Sequence, residues 1–265
     1  MTHQAIAPKT QFMSQDAFLP QEYTSIYWLG NAGEMINSRG TIILLDPLLK
    51  GFDMPILREA PLQPKDVKHV DALLITHDDN DHLSKTTLNE LAAQTTCMYA
   101  PHFVAQLLTQ LGYRAQGYSI GDYFKVNQVE ITLTPADHAW KNSNPKYRRI
   151  YDFEDYCGFW LDTPDGSIWA IGDSRLIPSQ LNMKQPDAIF FDFSDSSWHI
   201  GFDHAVKLAN TYPNADLLLC HWGTVDAPEM TPFNGNPEQL MDKIIHPQRI
   251  HVLAPGEVFI LKKHS

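Results

Sequence analysis

Four short apolar segments of the chain, each with the length of a buried strand, lead into histidine or aspartate. Residues 72–75, 129–134, 167–171 and 217–220 are the segments, and His77, His138, Asp173 and His221 follow them. In layered α/β folds, functional sites gather at the carboxyl ends of the strands. A single histidine at a strand end is more often a hydrogen-bonded structural residue, but four such coincidences are hard to attribute to chance. The pattern predicts a layered fold with a shared site on one edge.

The remaining elements fit an α/β or α+β layered domain. Strands are predicted at residues 24–29, 34–36, 41–45, 188–191 and 257–261, so that early strands pair locally and later strands alternate with helices. Helices are predicted after an N-cap at Ser84, over residues 101–111 and 203–210, and from Asn236 to about residue 245. Residues 1–22 are interpreted as an N-terminal tail or edge segment, and residues 23–265 as a single domain.

Composition excludes several classes of protein. The 31 acidic residues outnumber the 20 lysines and arginines, whereas nucleic-acid binders usually carry a basic surplus, so no nucleic-acid partner is expected. The three cysteines form no C-x-x-C pair, which argues against a thiolate zinc site. No apolar run approaches the roughly 20 residues of a membrane span, and no signal peptide is visible, so a cytoplasmic protein is expected. A homo-oligomer is compatible with the sequence.

The densest group of candidate ligands follows the strand at residues 72–75. His77, Asp78, Asp79, Asp81 and His82 place five metal-capable side chains within six positions. Carboxylates at this density repel one another unless a cation is present. Taken alone, the segment also fits an acidic helix N-terminus, where aspartate is favoured by the helix dipole.

This segment resembles the signature of the metallo-β-lactamase superfamily, usually written H-x-H-x-D-H. The named positions of the signature are occupied by His77, Asp79, Asp81 and His82. The later histidines and aspartate follow in the order of that family, and the resemblance extends over residues 23–261. Within the superfamily, the chain is most similar to L-ascorbate-6-phosphate lactonase-like hydrolases. The resemblance implies an αββα four-layer sandwich with a two-metal site at its edge.

The resemblance also implies a role for each candidate ligand. The implied ligands are His77, Asp79 and His138 for the first metal, Asp81, His82 and His221 for the second, and Asp173 as the bridge between them. Asp46 would orient one of these ligands from behind.

One position departs from the family pattern, because Asp79 stands where the signature has its second histidine. A carboxylate makes the first site harder and more anionic, which shifts its preference from zinc towards manganese or iron. The weakened site could instead leave only one metal bound. The expected cofactors are two divalent ions per chain, Mn²⁺ or Zn²⁺, with iron as a further option.

Two metal ions about 3.5–4 Å apart would activate a water molecule as hydroxide near neutral pH. The expected reaction is hydrolysis of a lactone, an ester or a phosphoester, with a lactonase-like reaction favoured by the resemblance alone. Asp81 would orient the attacking water as well as bind metal. His199 and His204 are candidates for substrate contact or proton transfer, although each also fits a surface loop or a helix cap.

A basic segment follows His138 and is a candidate substrate-binding region. Lys141, Arg148 and Arg149 would bind an anionic or phosphorylated small molecule, although a solvated loop balanced by nearby acidic residues is an equal alternative. Trp140 and Trp222 flank two proposed ligands and would form walls of the pocket, unless they belong to the core.

Three other functions remain open on the sequence. A di-iron redox protein of the same fold would share the carboxylate at position 79, but it relies on a flavin domain for which this chain has no room. A nuclease or phosphodiesterase lacks support from the acidic composition, since phosphate contacts need cations. A binding module with a decayed site would hold no metal.

Overall fold

The computed structural model describes residues 4–264 of the chain. The strands are β1 (Thr24–Gly30), β2 (Gly33–Ser38), β3 (Thr41–Leu45), β4 (Ala72–Leu74), β5 (Met98–Pro101), β6 (Ala115–Tyr118), β7 (Tyr123–Val126), β8 (Val129–Pro135), β9 (Cys157–Thr163), β10 (Gly166–Ala170), β11 (Ala188–Phe191), β12 (Asp216–Leu219), β13 (Ile250–His251) and β14 (Val258–Ile260). The α-helices are α1 (Lys85–Leu91), α2 (His102–Gln110) and α3 (Phe202–Thr211).

The strands form two sheets of seven. The first has the order β14-β1-β2-β3-β4-β5-β6, and the second has the order β13-β12-β11-β10-β9-β8-β7. In the first sheet, β1, β2 and β3 pair antiparallel as neighbours, and β3 to β6 then run parallel. In the second, β8 and β10 each pair antiparallel with β9, so they run in the same direction, and β10 to β13 are parallel.

The two sheets pack face to face because their buried strands carry apolar side chains on both sides. In β1, Ile26 and Trp28 face the second sheet, whereas Tyr27 and Leu29 join the cluster that includes α1 and α2. Helix α3 covers the other face of the second sheet with Ala205, Leu208 and Ala209. These layers form the αββα sandwich that the sequence predicts.

The N-terminal segment that the structure describes packs against the rest of the domain. Ala7 is fully buried, and its backbone N–H donates to the carbonyl of Gly223 at 3.0 Å. The N–H of Gln11 donates to the carbonyl of Pro255 at 2.8 Å. A short 3₁₀ turn at Gln15–Phe18 follows. Residues 1–3 of the predicted N-terminal segment lie outside the described residues.

The helix predicted from Asn236 to about residue 245 is wrong. Only a 3₁₀ turn at Pro237–Gln239 forms, and the side chain of Asn236 caps it as expected. Turns follow, in which the N–H groups of Lys243 and Ile244 donate to the carbonyl of Leu240 at 3.0 and 3.1 Å. Asn210 on α3 then binds the end of the segment, since its side chain accepts from the N–H of Ile245 at 2.8 Å and donates to the carbonyl of Lys243 at 3.0 Å. Within residues 4–264, no helix has the length and apolar character that crossing a bilayer requires.

Candidate metal centre

The sheet directions bring the predicted ligands to one edge of the sandwich. The segment after β4 supplies His77 to His82 from the first sheet. The ends of β8, β10 and β12, which run in the same direction, supply His138, Asp173 and His221 from the second. The ligands therefore meet where the carboxyl ends of four strands converge, as the sequence predicts.

The carboxylate of Asp173 lies at the middle of this group. Five imidazole Nε2 atoms surround its Oδ2 atom, at 3.2 Å for His82, 3.4 Å for His199, 3.7 Å for His138 and His221, and 3.9 Å for His77. All six side chains are buried. Five nitrogens that converge on one carboxylate in a buried space form the arrangement of a metal site.

The opposite nitrogen of each ring is held in place by an oxygen. The Nδ1 partners are Thr76 Oγ1 for His77 (2.9 Å), Asp46 Oδ2 for His82 (2.7 Å), Trp198 O for His138 (2.7 Å), Asp192 Oδ2 for His199 (2.7 Å) and Pro232 O for His221 (3.0 Å). When Nδ1–H donates to such an oxygen, the lone pair of Nε2 is left for a metal ion. The chain thus fixes the orientation and the tautomer of all five rings.

Two unpartnered imidazole nitrogens are a second observation in favour of divalent cations at this centre. Among the described residues, Nε2 of His77 and Nε2 of His82 are buried without a hydrogen-bond partner. Buried polar atoms in folded proteins are nearly always satisfied, so these two nitrogens call for a ligand. Imidazole nitrogens combined with carboxylate oxygens suit zinc, iron and manganese.

Two ligand groups lie side by side and share the Asp173 region. One group is His77, His138 and Asp173, and the other is Asp81, His82 and His221. The Oδ2 atom of Asp81 lies 3.3 Å from Nε2 of His221 and accepts from Nδ2 of Asn31 at 3.2 Å. The second group has the three residues that the resemblance implies for the second metal, whereas the first group contains Asp173 and lacks Asp79.

Asp79 lies at the first site, but other groups already occupy both of its oxygens. Its Oδ2 is 3.3 Å from Nε2 of His138 and 3.4 Å from Nε2 of His77, and it accepts from Nε1 of Trp140 at 2.7 Å. The Nζ atom of Lys141 lies 2.6 Å from Asp79 Oδ1. Trp140 and Lys141 therefore fix the carboxylate that replaces the usual histidine.

His199 forms part of the metal centre, which corrects its interpretation as a surface loop residue or a helix cap. It is 5% exposed, and with Asp173 and His221 it makes a third candidate ligand group. A sequence signal existed only for its partner, because Asp192 directly follows the apolar strand β11 and its Oδ2 contacts Nδ1 of His199 at 2.7 Å. His204, by contrast, is exposed on α3, lines the neighbouring cleft together with His199, and belongs to none of the candidate ligand groups among the described residues.

The charges of the centre depend on one another in the metal-free chain. Burial alone would lower the pKa of His221, but Asp173 and Asp81 raise it to about 10. Burial would raise the pKa of Asp81, but His82 and His221 lower it to about 2. His199, together with His82 and His221, holds the pKa of the Asp173 carboxyl well below its usual range, against the effect of burial. A metal ion would therefore compete with a proton for the imidazole of His221.

Three predicted substrate-binding residues lie away from the centre, which corrects their assignment. Trp222 is 3% exposed and stacks on Trp28 with ring centroids 6.2 Å apart, so it belongs to the core. Arg148 is exposed and does not line the cavity beside the centre. Arg149 donates to Asp155 and lies over the ring of Phe103 at 3.8 Å.

Asp46 acts behind the ligands, as the resemblance implies. Its Oδ2 accepts from Oγ1 of Thr76 at 2.5 Å and from Nδ1 of His82 at 2.7 Å, and its Oδ1 accepts from the N–H of Thr76 at 2.8 Å. The Thr76 hydroxyl in turn accepts from Nδ1 of His77. One buried carboxylate therefore positions members of both candidate ligand groups.

We expect Asp46→Asn to weaken metal binding by about 10-fold to 100-fold, because the amide cannot accept from every donor that the carboxylate serves. Competition with a chromogenic chelator measures this affinity. Asp242→Asn is the matched control, since Asp242 is exposed and lies 21 residues beyond His221, the last of the proposed ligands. Equal affinities in Asp46→Asn and the control would show that Asp46 does not orient the ligands.

The αββα fold and a buried cluster of histidines and aspartates at its edge together define a metal-dependent hydrolase of the metallo-β-lactamase fold. Residues 41–222 match the family model described as the beta-lactamase superfamily domain. This match covers more than half of the chain, and the chain belongs to that family.

Individual relatives agree with this family. A UPF0173 metal-dependent hydrolase of Methanosarcina barkeri is 24% identical over 238 residues, which cover 88% of this chain and 96% of the relative. Another, from Herpetosiphon aurantiacus, is 28% identical over 254 residues, which cover 89% and 97%. The crystal structure of a possible metal-dependent hydrolase from Veillonella parvula has a TM-score of 0.72 at 20% identity and covers 92% of this chain and 100% of its own. The structural likeness supports the fold.

Proposed function

We propose that the chain hydrolyses a lactone or carboxylic ester at this metal centre. The observation that carries the proposal is the group of five Nε2 atoms around Oδ2 of Asp173, at the floor of an open cavity. A purely structural histidine cluster would pair both nitrogens of each ring within the protein. Here Nδ1 of every ring is paired, but Nε2 of His77 and Nε2 of His82 have no hydrogen-bond partner, and all five Nε2 atoms converge on Asp173, which lines the cavity.

Bound divalent ions would lower the pKa of a coordinated water and polarise the substrate oxygen. The chain's own groups prepare the place for that chemistry. Asp81 lines the cavity, and Asn31 holds its Oδ2 atom, so this carboxylate is placed to accept a hydrogen bond from the attacking water. Asp173 supplies negative charge among the imidazoles, and Asp46, Asp192 and the carbonyl of Trp198 keep the rings from turning.

A panel of substrates tests this function. Protein loaded with Mn²⁺ or Zn²⁺ is assayed on a γ-lactone, a carboxylic ester and a phosphodiester of similar size, before and after treatment with a chelator. We expect turnover of the lactone or the ester that disappears with the chelator and returns when metal is restored. Turnover that survives removal of all metal, or a folded and fully loaded protein that cleaves neither the lactone nor the ester, would refute the proposal.

We expect Asp79→His to raise the preference for zinc over manganese, because imidazole is a softer ligand than carboxylate. The ratio of the two metals after equilibration with an equimolar mixture measures the effect. Asp78→Asn is the matched control, since Asp78 also contacts Lys141, at 2.5 Å, but is not one of the ligands. An unchanged ratio in Asp79→His would mean that Asp79 is not a ligand.

A further inference from the structure

The cavity beside the metal centre has a volume of about 650 Å³, and its walls are largely apolar. The wall residues are Phe52, Met54, Trp140, Tyr147, Trp198 and Phe233. Cavities of this size that bind small molecules are usually lined by aromatic and aliphatic side chains, with few polar groups. The polar groups here are concentrated on the floor, where the ligands lie.

The positive charge that could bind an anionic substrate is already neutralised. Among the described residues that line the cavity, Lys141 is the only lysine or arginine. Its Nζ atom lies 2.5 Å from Asp78 Oδ1 and 2.6 Å from Asp79 Oδ1, and its side chain is 4% exposed. Two carboxylates therefore form ion pairs with this one ammonium group and neutralise its charge, so it is poorly placed to bind an anionic ligand.

The arginine residues near the cavity form ion pairs with acidic residues or lie outside the cavity. Arg175, in the neighbouring cleft, pairs with Asp137 at 2.7 Å. Arg149 pairs with Asp155, and Arg148 is outside the cavity. The rim instead carries an exposed carboxylate, Asp53, which accepts from Nδ2 of Asn80 at 3.0 Å. An anionic group held against this wall would lose its hydration, and the lining residues that the structure describes offer it no unpaired lysine or arginine.

We propose that the cavity selects an uncharged substrate whose acyl or alcohol portion is aromatic or otherwise apolar, and that it discriminates against substrates with a phosphate remote from the scissile bond. The inference rests on the proposed function and narrows it. It replaces the expectation of an anionic substrate, which depended on Arg148 and Arg149. A wall that fits one apolar group commonly gives a preference of roughly 10-fold to 100-fold over a poorly fitting one.

Two lactones test the preference directly when they differ only in a terminal phenyl or phosphate group. We expect kcat/KM to be at least about 10-fold higher for the phenyl lactone. Met230→Lys adds a free cation to the wall, because Met230 lines the cavity and is 43% exposed. This variant should reduce the preference, and Arg148→Ala should leave it unchanged. Equal kcat/KM for both lactones, or a loss of preference in Arg148→Ala, would overturn the inference.

Binding of unreactive probes keeps the inference testable if the chain hydrolyses neither lactone. The probes are 2-phenylethanol, 2-hydroxyethanesulfonate and trimethyl(2-hydroxyethyl)ammonium, added to metal-loaded protein. Because Trp140 and Trp198 lie in the wall, binding should quench tryptophan fluorescence. We expect the phenyl probe to bind at least about 10-fold more tightly than either charged probe. Tighter binding of the sulfonate, or of the ammonium through the aromatic wall and Asp53, would refute an uncharged substrate.

Discussion

Asp173→Asn should remove most of the bound metal and reduce kcat/KM by about 10³-fold or more, since removal of one group that stabilises a transition state alone costs about 10²-fold to 10³-fold. The carboxylate lies within 3.9 Å of the Nε2 atoms of the five histidines of the centre, so it contacts members of both ligand groups. The amide keeps the shape of the side chain but loses its charge and one acceptor. Elemental analysis and steady-state kinetics on the same preparation measure both effects.

The control for Asp173→Asn is Asp162→Asn, which removes a partly exposed carboxylate that pairs with Lys184 at 2.9 Å. This variant should keep the metal content and the activity of the parent protein. Circular dichroism should show that both variants are folded. Full metal content together with full activity in Asp173→Asn would show that Asp173 is not needed for metal binding or for hydrolysis.

His199→Ala should reduce kcat/KM by about 10²-fold and weaken metal binding. Losses of about this size are typical when a metal site loses a residue that orients its ligands. Its Nε2 atom lies 3.4 Å from Oδ2 of Asp173, and Asp192 holds its Nδ1 at 2.7 Å. The resemblance to the superfamily signature does not include this position, so the effect depends on the structure alone. Kinetics and chelator competition together separate a loss of metal from a loss of substrate contact.

His204→Ala is the matched control, because His204 lies five residues further along on the exposed side of α3. We expect its activity and metal content to equal those of the parent protein. Asp192→Asn should fall between the two, because it disturbs the orientation of His199 but leaves the ring in place. Equal effects of His199→Ala and His204→Ala would contradict the assignment of His199 to the centre.

The sheets and the common position of the ligands could be predicted because they depend on local signals. Apolar runs identify the strands, and parallel direction places the residues after them at one edge. These two signals are enough to predict, without any knowledge of side-chain contacts, that four residues lie close together: His77, His138, Asp173 and His221. The N-cap at Ser84 was equally predictable, since its hydroxyl accepts from the N–H of Thr87 at 3.2 Å.

Features that depend on distant partners could not be predicted. Turns replace the helix predicted after Asn236, and Asn210 on another helix binds the backbone groups of Lys243 and Ile245. Trp222 follows a ligand in sequence, but its ring packs in the core against Trp28. For both segments the contacting residue lies far away in sequence. Arg149 pairs with Asp155, only six residues away, and the charge pattern alone did not show whether it would pair there or face the cavity.

The most direct test is the metal content of untagged protein purified without chelator, measured by elemental analysis beside Asp173→Asn. The account predicts divalent metal in the parent protein and little or none in the variant, with hydrolysis following the metal. A folded parent protein that holds no metal, takes up none when Mn²⁺, Zn²⁺ or Fe²⁺ is added, and still turns over its substrate would contradict it.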